Sequence, residues 1–123
     1  MFVRRLFALT IVCLVASTVL AQDPTKVEPT HYKLDFENPQ VQVVHIYYGP
    51  HEKSGLHSHP AGVVVSVTDA HLRFTDQNGK VQEVFTKAGE ARWFPALQHK
   101  VENLSAKPYE GVYVAVKAAK PAQ

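Results

Sequence analysis

From residue 32 onward, apolar and polar positions along the chain follow a period of two. In VQVVHIYY, 41–48, Val41, Val43, His45 and Tyr47 share one face of an extended strand, and Gln42, Val44, Ile46 and Tyr48 share the other. Both faces are mostly apolar, which predicts a buried strand. A shorter strand is expected at Tyr32–Phe36. VVVSVT, 63–68, is β-branched almost throughout, and in AHLRFT Leu72 and Phe74 alternate with His71 and Arg73. DQNGK then marks a hairpin, because Asn78 and Gly79 tolerate the positive φ that tight turns need. VQEVFT returns, KAGE turns again, and ARWF runs to Pro95. YEGVYVAVK is the last strand, and residues 101–108 read as a loop. No segment sustains a 3.6-residue period, so the pattern predicts an all-β protein, an antiparallel sandwich or barrel.

The first residues have another character. Arg4 and Arg5 precede an apolar run from Leu6 to about Leu20, and Val19 and Ala21 sit where a signal peptidase reads small residues. Residues 1–21 are therefore expected to be a secretory signal peptide, cleaved before Gln22. The run is too short for a membrane span, so the mature chain is expected to be periplasmic or extracellular and free of the membrane. Residues 22–39 would form a proline-containing arm and the first strand, 40–117 a single barrel, and 118–123 a tail.

Cleavage removes two of the thirteen basic residues, leaving eleven against eleven acidic ones. The mature chain is then neutral and lacks the cationic cluster that nucleic acid requires. It also loses Cys13, the only cysteine. An exported domain of this size without disulfides must rely on its apolar core.

Of seven histidines, His57 and His59 form an H-x-H pair. On a strand, positions i and i+2 face the same way with Cβ atoms roughly 6–7 Å apart, so two imidazoles can meet on one ion. Two nitrogens hold a divalent metal weakly, and a third ligand must come from elsewhere. His99 is the first candidate and His45 the second. His31, His51 and His71 read as surface or turn residues, Trp93 and Phe94 as barrel core, and Asn103 as a turn residue.

Gly55, His57 and His59, followed by VVVSVTDAHLRFTDQNGK and AGEARWFPALQHKVEN, resemble the two motifs of the cupin superfamily, G-x5-H-x-H-x3or4-E-x6-G and G-x5-P-x-G-x2-H-x3-N. Gly89 to Pro95 and His99 to Asn103 match the second motif. The resemblance spans about residues 40–117 and implies a double-stranded β-helix, or jelly-roll, barrel. The departures are specific. Pro95 to His99 is one residue short, Leu97 and Ala70 replace glycines, and neither Gly49 nor Gly55 fits the leading position. Above all, Val63 and Val64 stand where the motif glutamate belongs. If the strand were regular from 57 to 63, Val63 would face the ion and offer only methyl groups. The resemblance thus implies a three-histidine site, His57, His59 and His99; Glu52 and Gln98 are the further candidates to reach in, though nothing in the spacing requires either.

The expected cofactor is a divalent transition metal, with iron, manganese, nickel, copper and zinc all compatible with imidazole. The expected partner is a small-molecule ligand or substrate, handled by oxygenase, isomerase or lyase chemistry. The rival reading is a non-catalytic ligand-binding or scaffold barrel. Protons would be expected to displace the metal below about pH 6, and the resemblance implies homodimers through an edge strand.

Overall fold

The computed structural model describes residues 22–118. These residues form two antiparallel sheets packed face to face.

 The first sheet has the order β1 (Tyr32–Glu37), β2 (Val41–Tyr48), β9 (Tyr109–Val116), β4 (Gly62–Ser66), β7 (Ala91–Phe94), and the second the order β3 (His57–His59), β8 (Leu97–Asn103), β5 (Ala70–Asp76), β6 (Val81–Thr86). Every pairing is antiparallel. Residues 1–21, where the signal peptide is expected, and 119–123 of the expected tail lie outside the described residues. No helix among the described residues is long and apolar enough to cross a membrane.

The two-residue period decides which side chains enter the core. On β2, Val44, Ile46 and Tyr48 point inward and are buried. On β9, whose faces are both apolar, Tyr109, Tyr113 and Ala115 go in and the valines go out. Leu72, Val84 and Val101 meet them from the second sheet. The hairpin between β5 and β6 turns at Gly79, with φ 82°, and the Asp76 carboxylate accepts from the backbone N–H of Asn78 and Lys80 at 2.8 and 2.9 Å. Gly89, at φ 85°, serves the next turn.

Three expectations are corrected. The N-terminal arm is not merely extended: Pro24–Val27 form one helical turn, α1, capped by the Asp23 side chain, which accepts from Thr25 N–H at 2.9 Å. The arm is tied to the β3 region, because Ser58 N–H donates to the Gln22 carbonyl at 2.9 Å and Gly55 N–H to the Glu28 carboxylate at 2.5 Å. Residues 101–103 are strand rather than loop. Val101 and Asn103 are buried while Lys100 is exposed, so the alternation is present but hidden by the polar identity of Asn103.

Trp93 is not core. It lies 58% exposed on the edge strand β7, while Phe94 beside it faces inward and is half-buried. Trp93 ends a row of apolar side chains, Phe36, Val43, Val114, Val63 and Trp93, that crosses the outer face of the five-stranded sheet in register.

Candidate metal centre

β3 and β8 create the site by register. His57 lies directly across from His99, and His59 lies across from Leu97. Directly opposed residues have Cβ atoms about 4.5–5.5 Å apart on one face, and His59 joins that face two residues along. One nitrogen from each of the three rings falls within 4.8 Å of the others, and among the described residues this is the group of three metal-ligating side chains that meets. Ring centroids are 4.7, 4.9 and 5.1 Å apart. Metal–nitrogen bonds of about 2.0–2.1 Å hold ligand nitrogens roughly 3–3.5 Å apart, so the three rings would have to close in on a bound ion.

The rings are set for lone-pair donation. Nδ1 of His57 lies 2.9 Å from the Gly55 carbonyl. A carbonyl only accepts, so that nitrogen carries the proton and Nε2 keeps its lone pair. Nε2 of His57, Nδ1 of His59 and both ring nitrogens of His99 are buried with no hydrogen-bond partner. Burial holds His59 down to about 3, with the His57 charge adding to the effect. It holds His99 down to about 2, with His59 and His57 adding. His57 is lowered as well, chiefly by burial, although its bond to Gly55 opposes this. All three are therefore neutral at neutral pH, as ligands must be.

Aromatic rings collar the cluster. Tyr32 sits 4.8 Å from His57 and 5.3 Å from His59, Tyr113 5.0 Å from His59, and Phe74 4.4 Å from His99. The Tyr32 hydroxyl is bonded to that of Tyr48 at 2.8 Å, and the Tyr113 hydroxyl donates to the Pro60 carbonyl. Burial raises both phenols, that of Tyr113 to about 12. Neither is a base near neutral pH.

The remaining sequence candidates fall elsewhere. The expectation that Val63 faces the ion fails because β3 and β4 belong to different sheets, so parity does not carry across Pro60 and Ala61. Val64 is the inward valine: it pairs with Tyr113 and lines a cavity with His59 and His99. Either way, methyl groups stand there instead of a carboxylate. His45 is not a ligand, since it points outward from β2 with its Nε2 3.8 Å from the Glu110 carboxylate. Glu52 is engaged with Gly49 N–H at 2.8 Å, and Gln98, between Leu97 and His99 on β8, belongs to the face opposite His99.

Two residues have more structure than the sequence disclosed. His31 is buried and stacked on Tyr48 at 4.2 Å, with its ring nitrogens 2.9 Å from the Tyr47 carbonyl and 3.2 Å from that of Lys53. Asn103 is fully buried, and its amide donates to the carbonyls of Tyr48, Gly49 and Lys107. It fastens β8 to the end of β2 and so acts as a brace rather than as a simple turn residue.

No protein-family model matches the sequence, and no curated protein matches it. Solved structures do. A cupin domain from Bordetella pertussis Tohama I superposes with a TM-score of 0.66 at 25% identity, covering 71% of this chain and 92% of that one. An RmlC-like cupin family protein with a double-stranded β-helix fold from Methanocaldococcus jannaschii gives 0.55 at 17% identity, over 69% and 77%. A cupin superfamily protein from Desulfitobacterium hafniense DCB-2 gives 0.53 at 8%, over 71% and 76%.

Proposed function

We propose that this chain, which has the cupin fold, binds one divalent transition metal through His57, His59 and His99 and uses it on a small molecule. The observation that carries the reading is the set of unpaired imidazole nitrogens. A buried polar atom left without a partner costs about 1–3 kcal/mol, and an ion that accepts three lone pairs removes most of that cost. Iron, manganese, nickel, copper and zinc all suit imidazole ligands.

Such an ion would supply Lewis acidity toward a substrate oxygen, or redox chemistry if it is iron, manganese or copper. The chain's residues do the rest. The Gly55 carbonyl orients His57, and Tyr32, Phe74 and Tyr113 keep bulk water from the cluster. Three neutral ligands leave the ion's double charge uncompensated, which favours an anionic or oxygen-donor ligand in the open positions. A second reading, a barrel that holds a ligand without turnover, is favoured by one observation: the hydroxyls of Tyr32 and Tyr113 are both committed to other partners, so neither is a free proton donor.

The test is the metal content of tag-free native protein. About one equivalent per chain is expected, falling below a tenth in His99→Ala while the fold persists by circular dichroism. Protein that stays metal-free through loading trials with all five ions would refute the reading. We also propose export after cleavage before Gln22, supported by the Arg4–Ala21 pattern. An intact mass that still includes residues 1–21 in the secreted fraction would overturn it.

A further inference from the structure

The N-terminal arm is mounted beside the histidine cluster. Asp23, Pro24 and Thr25 read as a helix start, with a side-chain acceptor at the N-cap and a proline preset for the first turn. The turn they make is pinned to the β3 region. Ser58, between His57 and His59, donates its N–H to the Gln22 carbonyl at 2.9 Å, the Glu28 carboxylate accepts from Gly55 N–H, and Pro24 is buried. Between the arm and the strand an open cleft of about 530 Å³ remains, within the roughly 300–1,000 Å³ of small-molecule sites.

Pro24, Pro60, Ala96 and Leu97 make its walls largely apolar, and His59 is the member of the cluster that reaches it. Asp23 is the one charged side chain among the described residues that line it. Burial opposes ionisation there, but the bonds from Thr25, the Gln42 amide and the nearby Lys26 outweigh it and hold the Asp23 carboxyl below its ordinary value. The carboxylate also has acceptor positions to spare. Of about four, Thr25 fills two, both on Oδ1, with its N–H at 2.9 Å and its hydroxyl at 2.7 Å. A carboxylate against apolar walls attracts a cation more strongly than one in bulk water, because the low-dielectric surroundings focus its field.

We propose that Asp23 is the recognition point for a small organic ammonium ion, a primary amine whose apolar body lies along Pro60 and Leu97 and whose far end offers an oxygen to the ion on His57, His59 and His99. The far end rests on the metal reading; the ammonium subsite does not.

Asparagine caps a helix as well as aspartate does, so Asp23→Asn removes the charge and keeps the turn. In isotope-labelled, metal-free protein, n-butylammonium should shift the amide resonances of Ser58 and Leu97 and bind at least fivefold more tightly than n-butanol. In Asp23→Asn that preference should fall below twofold. No preference in the wild-type chain, or one that survives in Asp23→Asn, overturns the subsite. Calorimetry on metal-loaded protein then tests the far end with β-alanine, γ-aminobutyrate and δ-aminovalerate against propionate, butyrate and valerate. At least one amino acid should bind tenfold more tightly than the acid of the same length, and Asp23→Asn should erase the difference. Equal affinities throughout the series overturn the bridging ligand. A metal content below half that of wild type in Asp23→Asn would make Asp23 a ligand of the ion and overturn its role as an ammonium site. Failure of the wild-type chain to load any metal counts against the metal reading alone, and the butylammonium result still decides the subsite.

Discussion

Acidification of the metal-free protein should destabilise it, and the magnitude follows from the buried histidines. In the unfolded chain a histidine titrates near 6.5. In the folded chain burial holds His59 down to about 3 and His99 down to about 2. Folded pKa values below the unfolded one mean that the unfolded state binds more protons between these limits, so stability falls as pH drops below about 6.5. Each such group costs about 1.4 kcal/mol per pH unit, or about 2 kcal/mol at pH 5. His59 and His99 together cost about 4 kcal/mol, and His57 acts in the same direction. A domain of this size has only about 5–15 kcal/mol to lose. Urea unfolding followed by circular dichroism at pH 7.5, 6 and 5 measures the loss. The carboxylates with lowered pKa, Asp23, Asp69 and Glu90, titrate below this window. In His99→Leu the loss should shrink by about 2 kcal/mol. A wild-type loss under about 1.5 kcal/mol, or one unchanged in His99→Leu, would refute the reasoning.

Because burial holds His59 and His99 down to about 3 and about 2 and lowers His57 as well, metal release should coincide with acid unfolding instead of preceding it near pH 6; simultaneous circular dichroism and a chromogenic chelator would show one transition or two. Val64→Glu should place a carboxylate in the cavity beside His59 and His99 and tighten metal binding at least tenfold in competition titrations, whereas Val63→Glu, on the outer face, should leave it unchanged. Asn103→Ala leaves the carbonyls of Tyr48, Gly49 and Lys107 without their donor and should cost about 2–4 kcal/mol in urea unfolding, with metal stoichiometry near one. Gly62→Ala would drive its Cβ into the Val114 carbonyl oxygen across the β4–β9 pairing; a loss of more than about 3 kcal/mol, or failure to fold, is expected from thermal melts.

Much of this was legible in the residues. The period-two strands, the Asn78–Gly79 hairpin and the His57, His59 and His99 set all emerge from pattern and motif resemblance. The misplaced features share a cause, which is that they depend on what lies across a strand rather than along it. Trp93 reads as core because it is large and apolar, yet its strand is an edge and its face is the outer one. His31 reads as surface because nothing nearby in sequence announces Tyr48, seventeen residues on, as its stacking partner.

Local chemistry is enough to specify strands, turns and the spacing of the H-x-H pair, because backbone geometry alone fixes a two-residue repeat. Which valine faces the histidines is a different kind of fact. The chain leaves one sheet at His59 and enters the other at Gly62, and no local periodicity survives that passage. Only long-range pairing, β3 with β8 and β4 with β9, turns Val64 inward and Val63 out. It is the same pairing that sets His57 opposite His99 and leaves Nε2 of His57 and both ring nitrogens of His99 buried without partners.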